Sequence, residues 1–126
     1  MHILVTGAAG FIGSALALRL LERSGRVTGL DNLNDYYDVG LKQARLARTL
    51  PHPAFRFEKL DICDREGMAR LFREQRFDAV VHLAAQAGVR HSIENPYAYA
   101  DANLAGFSHV LEGCRHGGVR HLVFAS

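Results

Sequence analysis

The chain alternates between short apolar runs and longer segments in which apolar residues recur every three or four positions. Short β-branched runs are typical of buried strands, and the wider spacing is typical of helices that bury one face. The pattern predicts strands at about 2–6, 26–30, 55–60, 79–83 and 119–125. It predicts helices at about 11–24, 40–49, 64–74 and 95–115.

Apolar positions define the expected buried faces of two of these helices. In the second helix these positions are Leu41, Ala44, Leu46 and Ala47. In the last helix they are Ala100, Leu104, Phe107, Val110, Leu111 and Cys114. We expect the last helix to end at Gly117-Gly118.

Strands and helices alternate throughout, which predicts an α/β fold with a parallel sheet and right-handed crossovers. We expect a Rossmann-type, doubly wound sheet of five strands in the order 3-2-1-4-5, with helices on both faces. The strand at 55–60 alternates polar and apolar residues and is expected at an edge. In this architecture ligands bind beyond the C-terminal strand ends, at the switch point between strands one and four.

Three evenly spaced glycines, Gly7, Gly10 and Gly13, lie between the first strand and the first helix. The first backbone N–H groups of a helix are unpaired and its N-terminus is positive, so a phosphate can bind there if no side chain blocks it. Gly7 would allow a tight turn, Gly10 a close backbone approach, and Gly13 close packing of helix on strand. The G-x-x-G-x-x-G spacing is one residue longer than the usual fingerprint, and glycine-rich turns that bind nothing are common.

An acidic residue, Asp31, ends the second strand 18 residues after Gly13. Its carboxylate can accept hydrogen bonds from adenosine ribose hydroxyls, and it would repel a 2′-phosphate. Asn32 follows it rather than an arginine, so nothing compensates that repulsion. The pattern favours NAD over NADP, although an aspartate also suits the start of a loop.

Two further strand ends suit a dinucleotide. Asp61 could hold the adenine amino group while Ile62 covers the ring, or Asp61 could instead cap the helix predicted at about 64. The fourth strand runs into small residues, LAAQAG at 83–88, along which a cofactor could lie flat, although small residues are also common in loops.

Composition narrows the class of protein. The 126 residues suit a single domain, here predicted as one NAD-binding domain over 1–126, and the net charge of +2 with scattered basic residues favours no nucleic-acid partner. No apolar stretch approaches the length of a membrane span, and a strand beginning at residue 2 or 3 leaves no room for a signal peptide. Cys63 and Cys114 form no C-x-x-C motif, so we expect reduced thiols and a cytoplasmic protein. We expect no metal site, because Cys114, His116 and His121 lack the fourth ligand that a structural zinc site needs.

Six segments together resemble the extended short-chain dehydrogenase/reductase family, in its NAD-dependent nucleotide-sugar epimerase/dehydratase branch. They are TGAAGFIG at 6–13, DNLNDYYD at 31–38, LDICD at 60–64, HLAAQAGVRHS at 82–92, ENPYAYADANLAGF at 94–107 and HLVFAS at 121–126. The second and fourth segments look most like UDP-glucuronate 4-epimerases. The likeness covers the whole chain but only about the first two-fifths of a family member.

The resemblance implies roles for individual residues. The pyrophosphate loop would comprise Gly7, Gly10, Phe11, Ile12 and Gly13, and the adenosine ribose would contact Asp31 and Asn32. Adenine would lie between Asp61 and Ile62, and the remaining cofactor contacts would be Leu83, Ala84, Ala85 and Gln86. The nucleotide-sugar would face Gly88, Val89 and Arg90.

The catalytic residues of the family do not occur in this sequence. Its chemistry needs a tyrosine with a lysine four residues later, and a serine or threonine. Four residues after the tyrosines at 36, 37, 97 and 99 stand Gly40, Leu41, Asp101 and Asn103. We therefore expect no catalytic residue here, a truncated cofactor-binding part of an epimerase, and no turnover by the chain alone. The alternatives are a non-catalytic dinucleotide-binding module and part of a related dehydratase or reductase.

Self-association is expected on physical grounds. A fifth strand at the sheet edge and a face that later helices cover in the family would expose apolar surface. Family members usually dimerise through the helix at 95–115 and the one after strand five.

Overall fold

Five parallel strands form the single sheet of the described chain, in the order β3-β2-β1-β4-β5. The computed structural model describes residues 1–23, 25–33, 39–84, 96–97 and 101–124. The strands are β1 His2–Thr6, β2 Arg26–Asp31, β3 Phe55–Lys59, β4 Ala79–His82 and β5 His121–Phe124. The order and the edge position of β3 confirm the prediction, and all five C-terminal strand ends lie along one edge of the sheet.

The helices cross between the strands and flank the sheet. They are α1 Phe11–Glu22, α2 Val39–Leu46, α3 Arg65–Glu74 and α4 Gly106–Gly117, and a π-helical turn, Asp101–Ala105, leads into α4. Gly118 ends α4 in the left-handed conformation, as its sequence predicts. The predicted start of the last helix at residue 95 lies outside the described residues, and the sequence did not predict the π-helical turn.

Two apolar cores enclose the sheet, one on each face. Alternate residues of β1 point to opposite faces: Ile3 and Val5 pack in the core beneath α1 and α2, and Leu4 packs in the core beneath α3 and α4. Every residue of β1 is buried, whereas β3 and β5 are only partly buried. The central strand and the turn that follows it are therefore fixed from both sides.

The buried faces of α2 and α4 agree only in part with those that the apolar spacing predicts. In α4 the buried residues are Gly106, Val110, which was predicted, and Gly113. Leu111 of α4 is 47% exposed, and Leu104, in the π-helical turn before it, is 72% exposed. The glycines allow close packing: a Cβ at Gly113 would lie 2.3 Å from the Phe72 ring. Close helix contact through small residues, rather than large apolar ones, sets the face.

In α2 the buried residues include Lys42 and Leu46, whereas Leu41 is 48% exposed and Ala44 and Ala47 are exposed. The prediction for this helix is confirmed at Leu46 and wrong at Leu41, Ala44 and Ala47, because the charged Lys42 occupies part of the inner face. The reason lies at the end of β2.

Candidate functional site

The glycine turn after β1 is held tightly against two neighbouring strands. The Gly7 and Ala8 amides both donate to the carbonyl oxygen of Leu30, at 2.7 and 3.1 Å. Gly7 has φ +73°, a conformation that side chains disfavour, and a Cβ there would lie 3.0 Å from the backbone of Leu83 and Ala84. A Cβ at Gly13 would lie 2.0 Å from the Gly7 carbonyl oxygen. The turn thus requires glycine at both positions.

The N-terminus of α1 is open. Gly10 is its N-cap residue in an extended conformation, no side chain among the described residues caps it, and its first turn contains no acidic residue. Phe11 and Ile12 are 75% and 66% exposed, so neither folds back over the helix end. The first amides of the helix have no intrahelical partner, and the dipole is positive there, so this end can bind an anion.

Asp31 ties the end of β2 to this turn. Its Oδ2 accepts a hydrogen bond from the Ala9 amide at 3.1 Å, and its Oδ1 accepts one from the Leu33 amide at 2.8 Å. Leu33 adopts φ +53° just beyond it, a rare conformation for a leucine. The carboxylate therefore lies against the glycine turn, as a ribose-binding acid requires.

Sequence reasoning missed the third partner of Asp31. The ammonium Nζ of Lys42, from α2, lies 3.3 Å from Oδ1, and both side chains are buried. The inference that nothing compensates the charge of Asp31 was wrong, because it considered only the next residue in sequence. The spacing of Lys42 and Leu46, four apart on one helix face, was the available signal. The two carboxylate oxygens offer about four acceptor positions, so three donors leave room for a ligand hydroxyl.

The end of β4 is fixed by the hydroxyl of Thr6, a second residue that sequence reasoning missed. Its Oγ1 accepts from the amides of Leu83 and Ala84, at 2.9 and 3.0 Å, and lies 2.8 Å from Nδ1 of His82. A hydroxyl has one proton and two lone pairs. With both lone pairs used, Oγ1 donates to Nδ1, which makes His82 a neutral imidazole with its proton on Nε2.

The end of β3 contributes an exposed acid and a buried apolar residue. Nδ2 of Asn32 lies 3.5 Å from Oδ2 of Asp61, a long contact that joins the ends of β2 and β3. Asp64 rather than Asp61 caps α3, since its Oδ1 accepts from the Gly67 amide at 3.0 Å. Ile62 is only 6% exposed and a Cβ at Gly106 would lie 2.3 Å from it, so little of it faces a ligand.

The structure therefore gathers most of the predicted site at one edge of the sheet. Those described are Gly7, Gly10, Phe11, Ile12, Gly13, Asp31, Asn32, Asp61, Ile62, Leu83 and Ala84. The others, Ala85, Gln86, Gly88, Val89 and Arg90, lie outside the described residues. An open helix end, a turn that only glycine permits and a carboxylate beside it fit the pyrophosphate and ribose of a dinucleotide.

Two buried histidines make stability depend on pH. Burial lowers the pKa of His82, and burial with the nearby Arg26 charge lowers the pKa of His2. Below about pH 6.5, the ordinary histidine pKa, the unfolded chain binds protons that the folded chain resists. We expect the free energy of unfolding, measured in urea, to keep its highest value above that pH. It should decrease as the pH falls towards the lowered pKa values of His2 and His82 in the folded protein.

His82→Gln should reduce this acid-induced loss of stability. His116→Gln is the matched control, because His116 is exposed on α4, where it pairs with the surface residues Glu112 and Arg115. An equal pH dependence in the wild type and in His82→Gln would contradict the contribution of His82.

Among the described residues, no helix combines the length and apolar character that crossing a bilayer demands.

Comparison with known proteins agrees with this geometry. The UDP-glucuronate 4-epimerase of Thermodesulfobacterium geofontis is 45% identical over 125 residues, which are 99% of this chain and 39% of that protein. The solved UDP-glucose 4-epimerase of Thermus thermophilus in complex with NAD has a TM-score of 0.85 and 42% identity, over 100% of this chain and 37% of that one. The solved UDP-glucuronic acid 4-epimerase from Bacillus cereus, in complex with UDP-glucuronic acid and NAD, has a TM-score of 0.86 and 33% identity. The match covers 98% of this chain and 39% of that one.

This chain thus spans less than two-fifths of the length of these relatives. The pattern of the NAD dependent epimerase/dehydratase family matches residues 3–126, nearly the whole sequence. The chain belongs to the NAD dependent epimerase/dehydratase family.

Proposed function

We propose that this chain is the NAD-binding portion of a cytoplasmic nucleotide-sugar epimerase that resembles UDP-glucuronate 4-epimerase. The observation that carries the proposal is the open N-terminus of α1 with the Asp31 carboxylate beside it, held by the Ala9 amide. The same chain is 45% identical to a UDP-glucuronate 4-epimerase. The cysteines Cys63 and Cys114, both free thiols, fit a reducing compartment.

The C-terminal ends of β1, β2, β3 and β4 each have a part in holding the dinucleotide. The amides at the start of α1 bind the pyrophosphate, and the remaining acceptor capacity of Asp31 takes a ribose hydroxyl. Asp61 and Asn32 border the adenine side. Leu83 and Ala84, whose amides are fixed by Thr6, continue the surface towards the nicotinamide, next to Ala85 and Gln86.

The cofactor, when bound, supplies the hydride acceptor and donor for chemistry at the sugar. The chain orients it and offers Gly88, Val89 and Arg90 to the nucleotide-sugar, where a guanidinium can bind a carboxylate or phosphate through two parallel hydrogen bonds. No tyrosine in the sequence has a lysine four residues later, so we propose that this chain alone binds NAD and turns nothing over.

Two measurements test the proposal. Titration calorimetry should show that the chain binds NAD, and that it binds NADP more weakly. Incubation with NAD and UDP-glucuronate should yield no UDP-galacturonate above background. Absence of NAD binding would refute the cofactor role, and turnover would refute the proposed inactivity; NAD binding without turnover is also what a non-catalytic dinucleotide-binding module predicts.

Exposed apolar side chains on β5 lead us to propose self-association. The strand lies at an edge of the sheet, and Val123 and Phe124 are 59% and 49% exposed. An unpaired edge with exposed apolar side chains favours pairing with a second copy. Analytical ultracentrifugation at high micromolar concentration should show a concentration-dependent increase in mass, and Val123→Lys should reduce it. A strictly monomeric wild type would contradict the proposal.

A further inference from the structure

The ion pair at the end of β2 contains a buried ammonium group, that of Lys42, which has no role in the proposed function. Asp31 and Lys42 are 6% and 10% exposed in their side chains, with Nζ 3.3 Å from Oδ1. Lysine is seldom this buried unless an opposite charge accompanies it. The proposed function assigns the carboxylate to the ribose and gives the ammonium group no role.

The pair changes what Asp31 presents to a ligand. Opposite charges this close largely cancel at the distance of a neighbouring group, so the carboxylate acts mainly as a hydrogen-bond acceptor. A ribose hydroxyl can donate to that acceptor. A phosphate monoester cannot, because its oxygens are acceptors too, but its negative charge is attracted to an ammonium group.

A second cation of α2 lies close to the same region. The guanidinium carbon of Arg45 is 5.6 Å from the centre of the Phe11 ring, at the open end of α1. Arg45 and Lys42 are three apart on one helix, so α2 directs positive charge along the side of the site where the phosphates of a dinucleotide would lie.

We propose that Lys42 determines cofactor specificity: its ammonium group neutralises Asp31 and is also a latent ligand for the 2′-phosphate of NADP, masked by the Asp31 carboxylate. The inference rests on the proposed function, since it places the adenosine ribose beside Asp31. Asp31 then favours NAD over NADP, and Lys42 limits the size of that preference.

The test is a double-mutant cycle measured by titration calorimetry with NAD and NADP on the 126-residue chain. Asp31→Asn removes the anion that Lys42 neutralises, and NADP affinity should rise about tenfold or more, as for one added hydrogen bond to a charged group. Adding Lys42→Met to Asp31→Asn should abolish that gain. Lys42→Met alone should raise the preference for NAD over NADP about tenfold, because Asp31 then repels the phosphate without the neutralising charge of Lys42.

Two controls separate this effect from a general loss of charge or fold. Arg48→Met removes an exposed positive charge just beyond α2 and should leave the NAD-to-NADP ratio unchanged. Lys42→Arg keeps the charge and should keep the wild-type preference. Circular dichroism reports the fold of each variant, and if Asp31→Asn does not fold, the ratio in Lys42→Met decides the question.

Salt provides an independent readout. NADP binding to Asp31→Asn should weaken more steeply with ionic strength than binding to the double variant, since one more charge contact is screened. Equal losses of NAD and NADP affinity in Lys42→Met, or an equal NADP gain with and without Lys42, would overturn the inference and leave the proposed function intact. Failure of the wild type to bind NAD would overturn both.

Discussion

Replacing Gly13 by alanine should collapse the glycine turn and abolish NAD binding. The new Cβ would lie 2.0 Å from the Gly7 carbonyl oxygen and 2.8 Å from its carbon, both backbone atoms. Relief requires α1 to move away from β1. Alanine gains about 1 kcal/mol in helix propensity, whereas overpacking of this severity costs about 3 kcal/mol or more. We expect a net loss of at least about 2 kcal/mol in the free energy of unfolding, measured in urea.

Gly10→Ala is the matched control for this change. Within the described part of the chain its Cβ would meet only the Gly7 carbonyl oxygen, at 3.2 Å, and its φ of −76° suits any residue. The fold should survive with a loss within about 1 kcal/mol, while NAD affinity should fall because the added methyl group lies where the pyrophosphate approaches the backbone. Similar unfolding free energies for the two variants would contradict the packing argument.

The fold was predictable because its signals are local and mutually consistent. The fully buried β1, the glycines after it and the helical spacing of α1 each favour one arrangement, and alternation of strands and helices restricts the topology to few choices. Gly7 and Gly13 were predictable as well, since a tight strand-to-helix turn requires them. The position of Asp31 then followed, because parallel strands end at the same edge.

The parts that were missed depend on contacts between residues distant in sequence. Lys42 lies on the inner face of α2 because it forms an ion pair there with the Asp31 carboxylate. Apolar periodicity cannot predict such a contact. Gly106 and Gly113 define the inner face of α4 because Ile62 and Phe72 pack against them. In the sequence, Thr6 looks like any other residue of β1. The hydrogen bonds of its hydroxyl to the end of β4 can be recognised only when β4 is placed beside β1.

Thr6→Val should destabilise the protein although it preserves side-chain shape. The hydroxyl accepts from the amides of Leu83 and Ala84 and donates to His82, and Thr6 is completely buried. In Thr6→Val the Leu83 amide keeps its longer hydrogen bond to the Thr6 carbonyl oxygen, at 3.3 Å. The groups left without their hydrogen-bond partner are therefore mainly the Ala84 amide and Nδ1 of His82. Each buried group left unpaired costs about 1 to 3 kcal/mol, which predicts a total of about 2 to 4 kcal/mol in urea unfolding.

Thr6→Ser separates this hydrogen-bond effect from packing. Serine keeps the hydroxyl and loses one methyl group, which costs about 1 kcal/mol. If Thr6→Val were no less stable than Thr6→Ser, the hydroxyl would be dispensable. A second readout is the His82 ring in nitrogen-15 NMR: with threonine or serine, Nδ1 should remain an acceptor and the proton should stay on Nε2. With valine, the donor to Nδ1 is lost, and we expect the tautomer balance of His82 to shift. The Leu83 and Ala84 amides lose their shared acceptor in the same variant.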